Sequence, residues 1–327
     1  MKKYNVLITA RSFGKEVPEP MERLMKQGFR ILEWREGSGL EASELIGKVG
    51  QADAWIVGSY PIQAALLGNT PRLQIIAKHG VGIDNIDVPA ATKKGILVAI
   101  APGSNDQAVA DLTMGLLLSL LRSIPQANAS VKSGRWERFQ GFGLTGKTIG
   151  IIGLGHIGLN VAKRVKGFDM EILGCDPFWP EEKALEIGIV RVDFETLIGK
   201  SDVITLHVPL TPETEGLIGE HQIAQMKKGG WIVSTSWGKI IDEKAMYQAP
   251  VTGKVAGYAT GAFETEPPEG NRLLDLTNVV ATPHIGSDTN DALRMLEDRV
   301  VDTILKLFHG EKSEFIINPE AYHFKRK

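Results

Sequence analysis

One cysteine, Cys175, occurs in the 327 residues, which excludes an intramolecular disulfide. It sits in an apolar, strand-like run beside Asp176 and reads as a core thiol rather than a reactive one. Long apolar runs are missing as well: nothing approaches the roughly 20 residues needed to cross a bilayer. Met1-Lys-Lys-Tyr-Asn5 leads straight into an apolar strand without a signal-like segment, so the chain reads as cytoplasmic with no membrane partner. Charge of one sign is scarce, with 37 Lys and Arg against 39 Asp and Glu and a net charge of −2. No basic stretch is long, and Lys325-Arg-Lys327 reads as a solvated end, so no nucleic-acid partner is expected. No metal site is expected either. What is present is an ordinary globular composition, 43% hydrophobic, at a length that suits about two domains.

The pattern along the chain is α/β. Apolar runs at 5–9, 54–58, 73–77 and 96–101 alternate with amphipathic segments near 18–26, 42–48 and 89–93, the rhythm of a parallel sheet covered on both faces. A long apolar helix at 107–121 follows, long enough to bridge two domains. A second doubly wound unit then runs to about Pro283, with strands at 149–152, 171–175, 203–207, 231–234, 255–258 and 279–281. A helix at 290–308 can return the chain to the first domain. The expected organisation is therefore two doubly wound parallel-sheet domains, one inserted in the other: residues 1–103 with 288–327, and residues 104–287. Such an insertion places a ligand in a cleft between domains, where a hinge can close over it.

The most specific segment is Lys147-Thr-Ile-Gly-Ile-Ile-Gly-Leu-Gly-His-Ile-Gly158, in which a strand enters a glycine-rich turn and a helix leaves it. Gly153 permits the turn, Gly155 lets the backbone approach a pyrophosphate, and Gly158 lets helix pack on strand. The helix start at His156 and Ile157 offers unpaired N–H groups to the phosphates. The next strand ends at Asp176, at the spacing where a carboxylate accepts hydrogen bonds from ribose hydroxyls. That carboxylate would repel a 2′-phosphate, so the expected cofactor is NAD rather than NADP.

Together with this fingerprint, His79-Gly-Val-Gly-Ile-Asp-Asn-Ile-Asp87, Leu206-His-Val-Pro-Leu-Thr-Pro-Glu-Thr214, Phe263-Glu-Thr-Glu-Pro267 and Thr282-Pro-His-Ile-Gly286 resemble the D-2-hydroxyacid dehydrogenase family over nearly the whole chain. The likeness leans to its D-3-phosphoglycerate dehydrogenase branch in a short form. The resemblance implies an NAD-binding Rossmann domain inserted into a flavodoxin-like substrate domain, and hydride transfer between a nicotinamide and a 2-oxo or 2-hydroxy acid. It implies that His284 is the general acid and Glu266 its carboxylate partner, which raises the pKa of an imidazole that must donate a proton at pH 7. It places the substrate carboxylate on the backbone of Gly80, Val81 and Gly82 beside Lys78. Around the cofactor it places Pro177, His207, Val208, Pro209, Thr214, Ser234, Thr235, Ser236, Gly261 and Gly286. It also implies a homodimer formed through the nucleotide domain, for which Trp136, Phe139 and Phe142 supply apolar surface, although the same residues suit an internal core.

The chain departs from the resembling pattern beside the reacting groups. Ser234-Thr-Ser-Trp-Gly-Lys239 carries Trp237 where the family has arginine, replacing a charged planar fork of donors by one indole N–H and an apolar face. Gly257-Tyr-Ala-Thr-Gly-Ala-Phe-Glu264 carries Gly261 where the family has an aspartate, and Tyr258 and Thr260 are larger or more polar than usual. Pro250 is expected to end the helix begun at Asp242. Three readings stay open: an oxidoreductase with a remodelled site, for which Lys239 is a candidate displaced cation; a 2-hydroxyacid dehydrogenase weakened by alteration; and an NAD-binding pseudoenzyme with a regulatory role.

Overall fold

A computed structural model describes residues 4–34, 42–83 and 85–324, so Asp84 and the Lys325-Arg-Lys327 tail lie outside the described residues. The chain forms two compact units, one from Met1–Asn105 with Asp288–Lys327 and the other from Asp106–Ser287.

The first unit is built on β1 (Asn5–Ile8), β2 (Arg30–Glu33), β3 (Ala54–Val57), β4 (Ile75–Lys78) and β5 (Leu97–Ala99), all parallel in the order β2-β1-β3-β4-β5. Strands β3, β4 and β5 are buried throughout, as continuous apolar runs must be when helices cover both faces. On one face the helix Asn290–Phe308 packs Leu296, Val300, Val301 and Ile304 against Val6, Ile8, Ile56 and Ile75. Each such fully buried aliphatic side chain contributes about 1.5–3 kcal/mol. On the other face Leu45, Val49 and Leu67 meet Leu7, Trp55 and Ile76. The indole N–H of Trp55, buried in this layer, donates to Thr9 Oγ1 at 3.0 Å.

The second unit holds β6 (Thr148–Ile152), β7 (Glu171–Cys175), β8 (Val190–Arg191), β9 (Val203–Leu206), β10 (Gly230–Ser234), β11 (Val255–Thr260) and β12 (Val279–Ala281). They form a parallel sheet in the order β12-β11-β10-β9-β6-β7-β8. The order reverses at β6, whose neighbours are β7 and β9, and ligands of open α/β sheets bind at the carboxyl ends of the strands flanking such a reversal. The helix Asp106–Leu121 buries Ala110, Met114, Leu117 and Leu120 in this unit's core, and Arg164 of the helix His156–Lys166 donates to Asp111 at 2.7 Å.

Several local expectations are corrected. Two strands, β2 and β8, have no counterpart in the pattern reading; both are short edges with little burial. Strand β11 runs two residues further than expected, through Ala259 to Thr260. Pro250 does not end its helix, which spans Glu243–Val251 with the proline inside its last turn. A proline there removes a single N–H donor one residue from the end, and Asp242 caps the start by accepting from the N–H groups of Lys244 and Ala245. Trp136, Phe139 and Phe142 are not internal core: they are 80%, 40% and 53% exposed.

Candidate active site

The glycine turn connects β6 to the helix His156–Lys166, and its three glycines have three different reasons to be there. Gly153 has φ +90°, and a Cβ on it would lie 2.7 Å from the carbonyl oxygen of His207 and 2.9 Å from Cγ1 of Val208. This close approach brings the loop after β9 against the turn. A Cβ on Gly158 would lie 2.0 Å from the Gly153 oxygen, so helix and strand touch through bare backbone. At Gly155, by contrast, a Cβ would meet nothing within 4 Å; the turn is open on that side. Open space beside the first N–H groups of a helix is what a pyrophosphate requires, so the residues fit a dinucleotide.

Asp176, just past β7, accepts from Leu154 N–H with Oδ2 and from Phe178 N–H with Oδ1, both at 2.6 Å. The carboxylate thus fixes the turn from below, and each oxygen retains a lone pair for a ribose hydroxyl. Pro177 and Phe178 beyond it are exposed, Phe178 at 88%. His156 sits exposed at the helix start, its Nδ1 2.9 Å from Asp106 Oδ2, and Ile157 packs inward against the core. His207 holds Thr205 Oγ1 at 2.9 Å, and burial pushes its imidazole down to about 3, leaving it neutral. Thr214 turns its hydroxyl to the carbonyl of Pro209 at 2.6 Å and so closes its own loop.

At the carboxyl ends of β10, β11 and β12 a second cluster forms. Nδ1 of His284 lies 2.8 Å from Oε2 and 3.0 Å from Oε1 of Glu266. A carboxylate only accepts, so Nδ1 carries the hydrogen in this pair. Burial pushes the Glu266 carboxyl up, but the hydrogen bonds from His284 and from Phe263 N–H (3.0 Å) outweigh it and hold the group below the usual carboxylate range. The backbone at His284 is left-handed, φ +54°, and is pinned by its N–H bonding to the carbonyls of Gly261 (3.1 Å) and Thr282 (3.0 Å). Trp237 packs its indole against the imidazole, ring centroids 6.0 Å apart and tilted by 71°. The following Gly238 is obligatory, because a Cβ there would lie 1.9 Å from the Phe263 carbonyl carbon.

Gly261 is a different case. A Cβ there would make ordinary contacts, 3.5 Å to Thr235 and 3.8 Å to the Thr282 hydroxyl, so packing does not demand glycine. Ser234 and Ser236 spend their polar groups on the scaffold: the Ser234 carbonyl accepts from Gly261 N–H at 2.8 Å, and Ser236 Oγ donates to the Leu206 carbonyl at 2.7 Å. Thr113 was not singled out by sequence, yet it orients the site. Its hydroxyl donates to the Val109 carbonyl (2.8 Å), so at its 2.9 Å contact with Thr235 it must accept. Thr235 Oγ1 therefore donates its hydrogen to Thr113, and the Thr235 methyl lies toward Gly261. Nothing in the local pattern of the Thr113 helix, which also carries Gln107, Asp111 and Ser119, marks that residue. Gly286 packs against Val109, and Lys239 is exposed.

In the first unit, Lys78 ends β4 and its ammonium donates to the Gly58 carbonyl at 2.7 Å and to Asn85 Oδ1 at 2.6 Å. Asn85 in turn donates to the Tyr60 carbonyl at 2.7 Å, so the buried lysine braces the loops after β3 and β4. Gly80, with φ +147°, follows after His79; Val81 is 37% exposed and Gly82 adjoins it.

Residues 114–286 match the family model described as D-isomer specific 2-hydroxyacid dehydrogenase, NAD binding domain. The chain is 47% identical to D-3-phosphoglycerate dehydrogenase of Methanocaldococcus jannaschii over 86% of its own length and 54% of that protein, so it spans about half of this relative. It is 39% identical to glyoxylate reductase of Thermococcus litoralis over 94% of its length and 96% of that protein. A crystal structure of D-lactate dehydrogenase from Aquifex aeolicus, complexed with NAD and lactic acid, superimposes with a TM-score of 0.82 at 31% identity, covering 94% of this chain and 96% of that one.

Proposed function

The chain belongs to the D-isomer specific 2-hydroxyacid dehydrogenase family and carries its NAD-binding domain, and we propose that it is an NAD-dependent oxidoreductase acting on a 2-oxo or 2-hydroxy acid, or a related carbonyl, at a remodelled site. The observation that carries this reading is the His284–Glu266 pair at 2.8 Å, an imidazole oriented through Nδ1 by a carboxylate.

In this reading the bound cofactor supplies or takes the hydride. The 153–158 turn and the start of the helix His156–Lys166 hold its pyrophosphate, Asp176 its ribose, and the loop from His207 to Thr214 flanks it. The Asp176 carboxylate favours NAD by repelling the extra phosphate of NADP. His284 gives a proton from Nε2 to the carbonyl oxygen as reduction proceeds, and takes one from the hydroxyl in the reverse direction. Glu266 stabilises the charged imidazole and keeps the ring oriented. Backbone N–H groups at Gly80, Val81 and Gly82, with Lys78 behind them, hold the substrate carboxylate. Trp237 closes one side of the imidazole with an apolar wall and supplies no charge. The reading includes a homodimer formed through the second unit, supported by the exposed Trp136, Phe139 and Phe142.

The test follows NADH oxidation with a panel of 2-oxo acids, aldehydes and ketones. The parent chain is expected to reduce at least one of them, and His284→Ala to lower that rate by about 10²–10⁴ with NADH still bound. Trp237→Arg is expected to raise kcat/KM for small 2-oxo acids by about 10²–10³, the worth of one donor aimed at a developing oxyanion. NADH binding without turnover of any substrate, by parent and by Trp237→Arg alike, sinks the proposal.

A further inference from the structure

Two buried ionisable side chains of the first unit have no part in the chemistry above. Glu297, on the helix Asn290–Phe308, is 1% exposed, and His79, directly after β4, has a side chain 8% exposed. Both oxygens of Glu297 accept the Gly14 N–H at 3.1 Å, and Oε1 lies 3.4 Å from Nε2 of His79. That last contact is near enough for an ionic attraction but lacks hydrogen-bond alignment, and Nε2 has no hydrogen-bond partner among the described residues. Phe13 packs edge-on against the imidazole, centroids 5.7 Å apart. The carboxylate shares its helix with Leu296, Val300 and Val301. Burying such a group is unfavourable unless its acceptors are used, so its presence in an apolar layer calls for a role other than stability.

The role follows from what it joins. Gly14, φ +69°, lies in the turn that leaves β1, where Lys15 N–H bonds to the Ser12 carbonyl at 3.0 Å. His79 leads into Gly80. Both loops rise at the carboxyl end of β3, one on each side of it: Thr9 N–H bonds to the Ile56 carbonyl and His79 N–H to the Val57 carbonyl. One carboxylate from a helix thus ties together the two loops at the carboxyl end of the sheet.

We infer that Glu297 is a positioning residue for substrate binding: by holding Gly14 and the ring of His79 together, it sets the direction of the backbone N–H groups at Gly80, Val81 and Gly82. The inference rests on the reading that this turn holds the substrate carboxylate. Glutamine at 297 removes the negative charge and one of the two oxygens that share the Gly14 N–H, so it loosens the tie while keeping the size of the side chain.

The test pairs kinetics with amide hydrogen exchange. Glu297→Gln is expected to raise KM for the 2-oxo acid substrate about tenfold, equivalent to about 1.4 kcal/mol, with kcat and the NADH dissociation constant close to the parent values. Exchange across residues 79–83 is expected to quicken about tenfold while β3 and β4 stay protected. His79→Gln, which leaves the Gly14 contact intact, is expected to give the same pattern and stands in if Glu297→Gln does not fold. Unchanged exchange at 79–83, or loss of protection throughout the unit with kcat falling in step, overturns the inference. If the parent reduces no 2-oxo acid, the proposed function fails separately, and the exchange measurement still decides whether Glu297 sets the turn.

Discussion

His284 is the residue at which backbone, ring and neighbour all constrain one atom. A left-handed conformation costs a residue with a Cβ of order 1–3 kcal/mol, and it persists here because two carbonyls and a carboxylate over-determine it. Acid should expose two titrating groups of the second unit, His207 and Glu266, in different windows. His207 is neutral in the fold down to about 3 but titrates near 6.5 when unfolded, so the unfolded chain binds the extra proton between those values. Stability is therefore full above about pH 6.5 and falls as pH drops toward about 3, by at most about 1.4 kcal/mol per unit. Glu266 has a lowered folded value, so its contribution is present above the ordinary carboxylate range and is lost only as pH falls through that lowered value. Urea unfolding of the second unit from pH 7 to 3.5 is expected to show both, and His207→Gln should flatten the decline above about pH 4.5 alone. An unchanged slope in that variant refutes the assignment. Candidate residues such as His284 and Glu266 were legible from short motifs. The contacts of Thr113 with Thr235 and of Glu297 with Gly14 were not, because they join positions 122 and 283 apart in the chain and no local pattern records them.

At the scale of elements, the βα turn at Gly153 has no slack. Gly153→Ala places a methyl 2.7 Å from the His207 carbonyl at φ +90°, where neither the backbone nor that rigid partner can yield. The substitution is expected to destabilise the second unit by about 1–3 kcal/mol and to abolish NAD binding, read by thermal unfolding and by calorimetry. Gly155→Ala, whose Cβ enters open space, should leave stability within about 0.5 kcal/mol and still weaken NAD, because the methyl occupies the phosphate side. Equal stability losses in the two variants would contradict this account. The elements themselves were legible wherever apolar periodicity was long, as in the helix Asn290–Phe308, which runs where the pattern put it. Strand β2 escaped notice because a four-residue edge with one buried side chain carries almost no period-two signal. The helix through Pro250 escaped because proline statistics describe helix interiors, and this proline stands one residue from the end.

For the whole molecule, composition and pattern sufficed to read two α/β units with one inserted in the other, but not which aromatic side chains face water. Trp136 is 80% exposed and Phe142 53%, and large exposed aromatics of this kind mark association sites. Sedimentation is expected to give a dimer, and Trp136→Glu with Phe142→Glu a monomer that retains NAD binding. A parent chain that sediments as a monomer at micromolar concentration rules the dimer out. The first unit, finally, is assembled from both ends of the chain, with Leu296, Val300 and Ile304 completing a layer begun by Val6 and Ile8. A ribosome delivers these halves far apart in time. The opening sheet of a nascent chain therefore waits, one apolar face uncovered, while the whole nucleotide unit is made and leaves the exit tunnel, and this interval is when a chaperone would have most to hold.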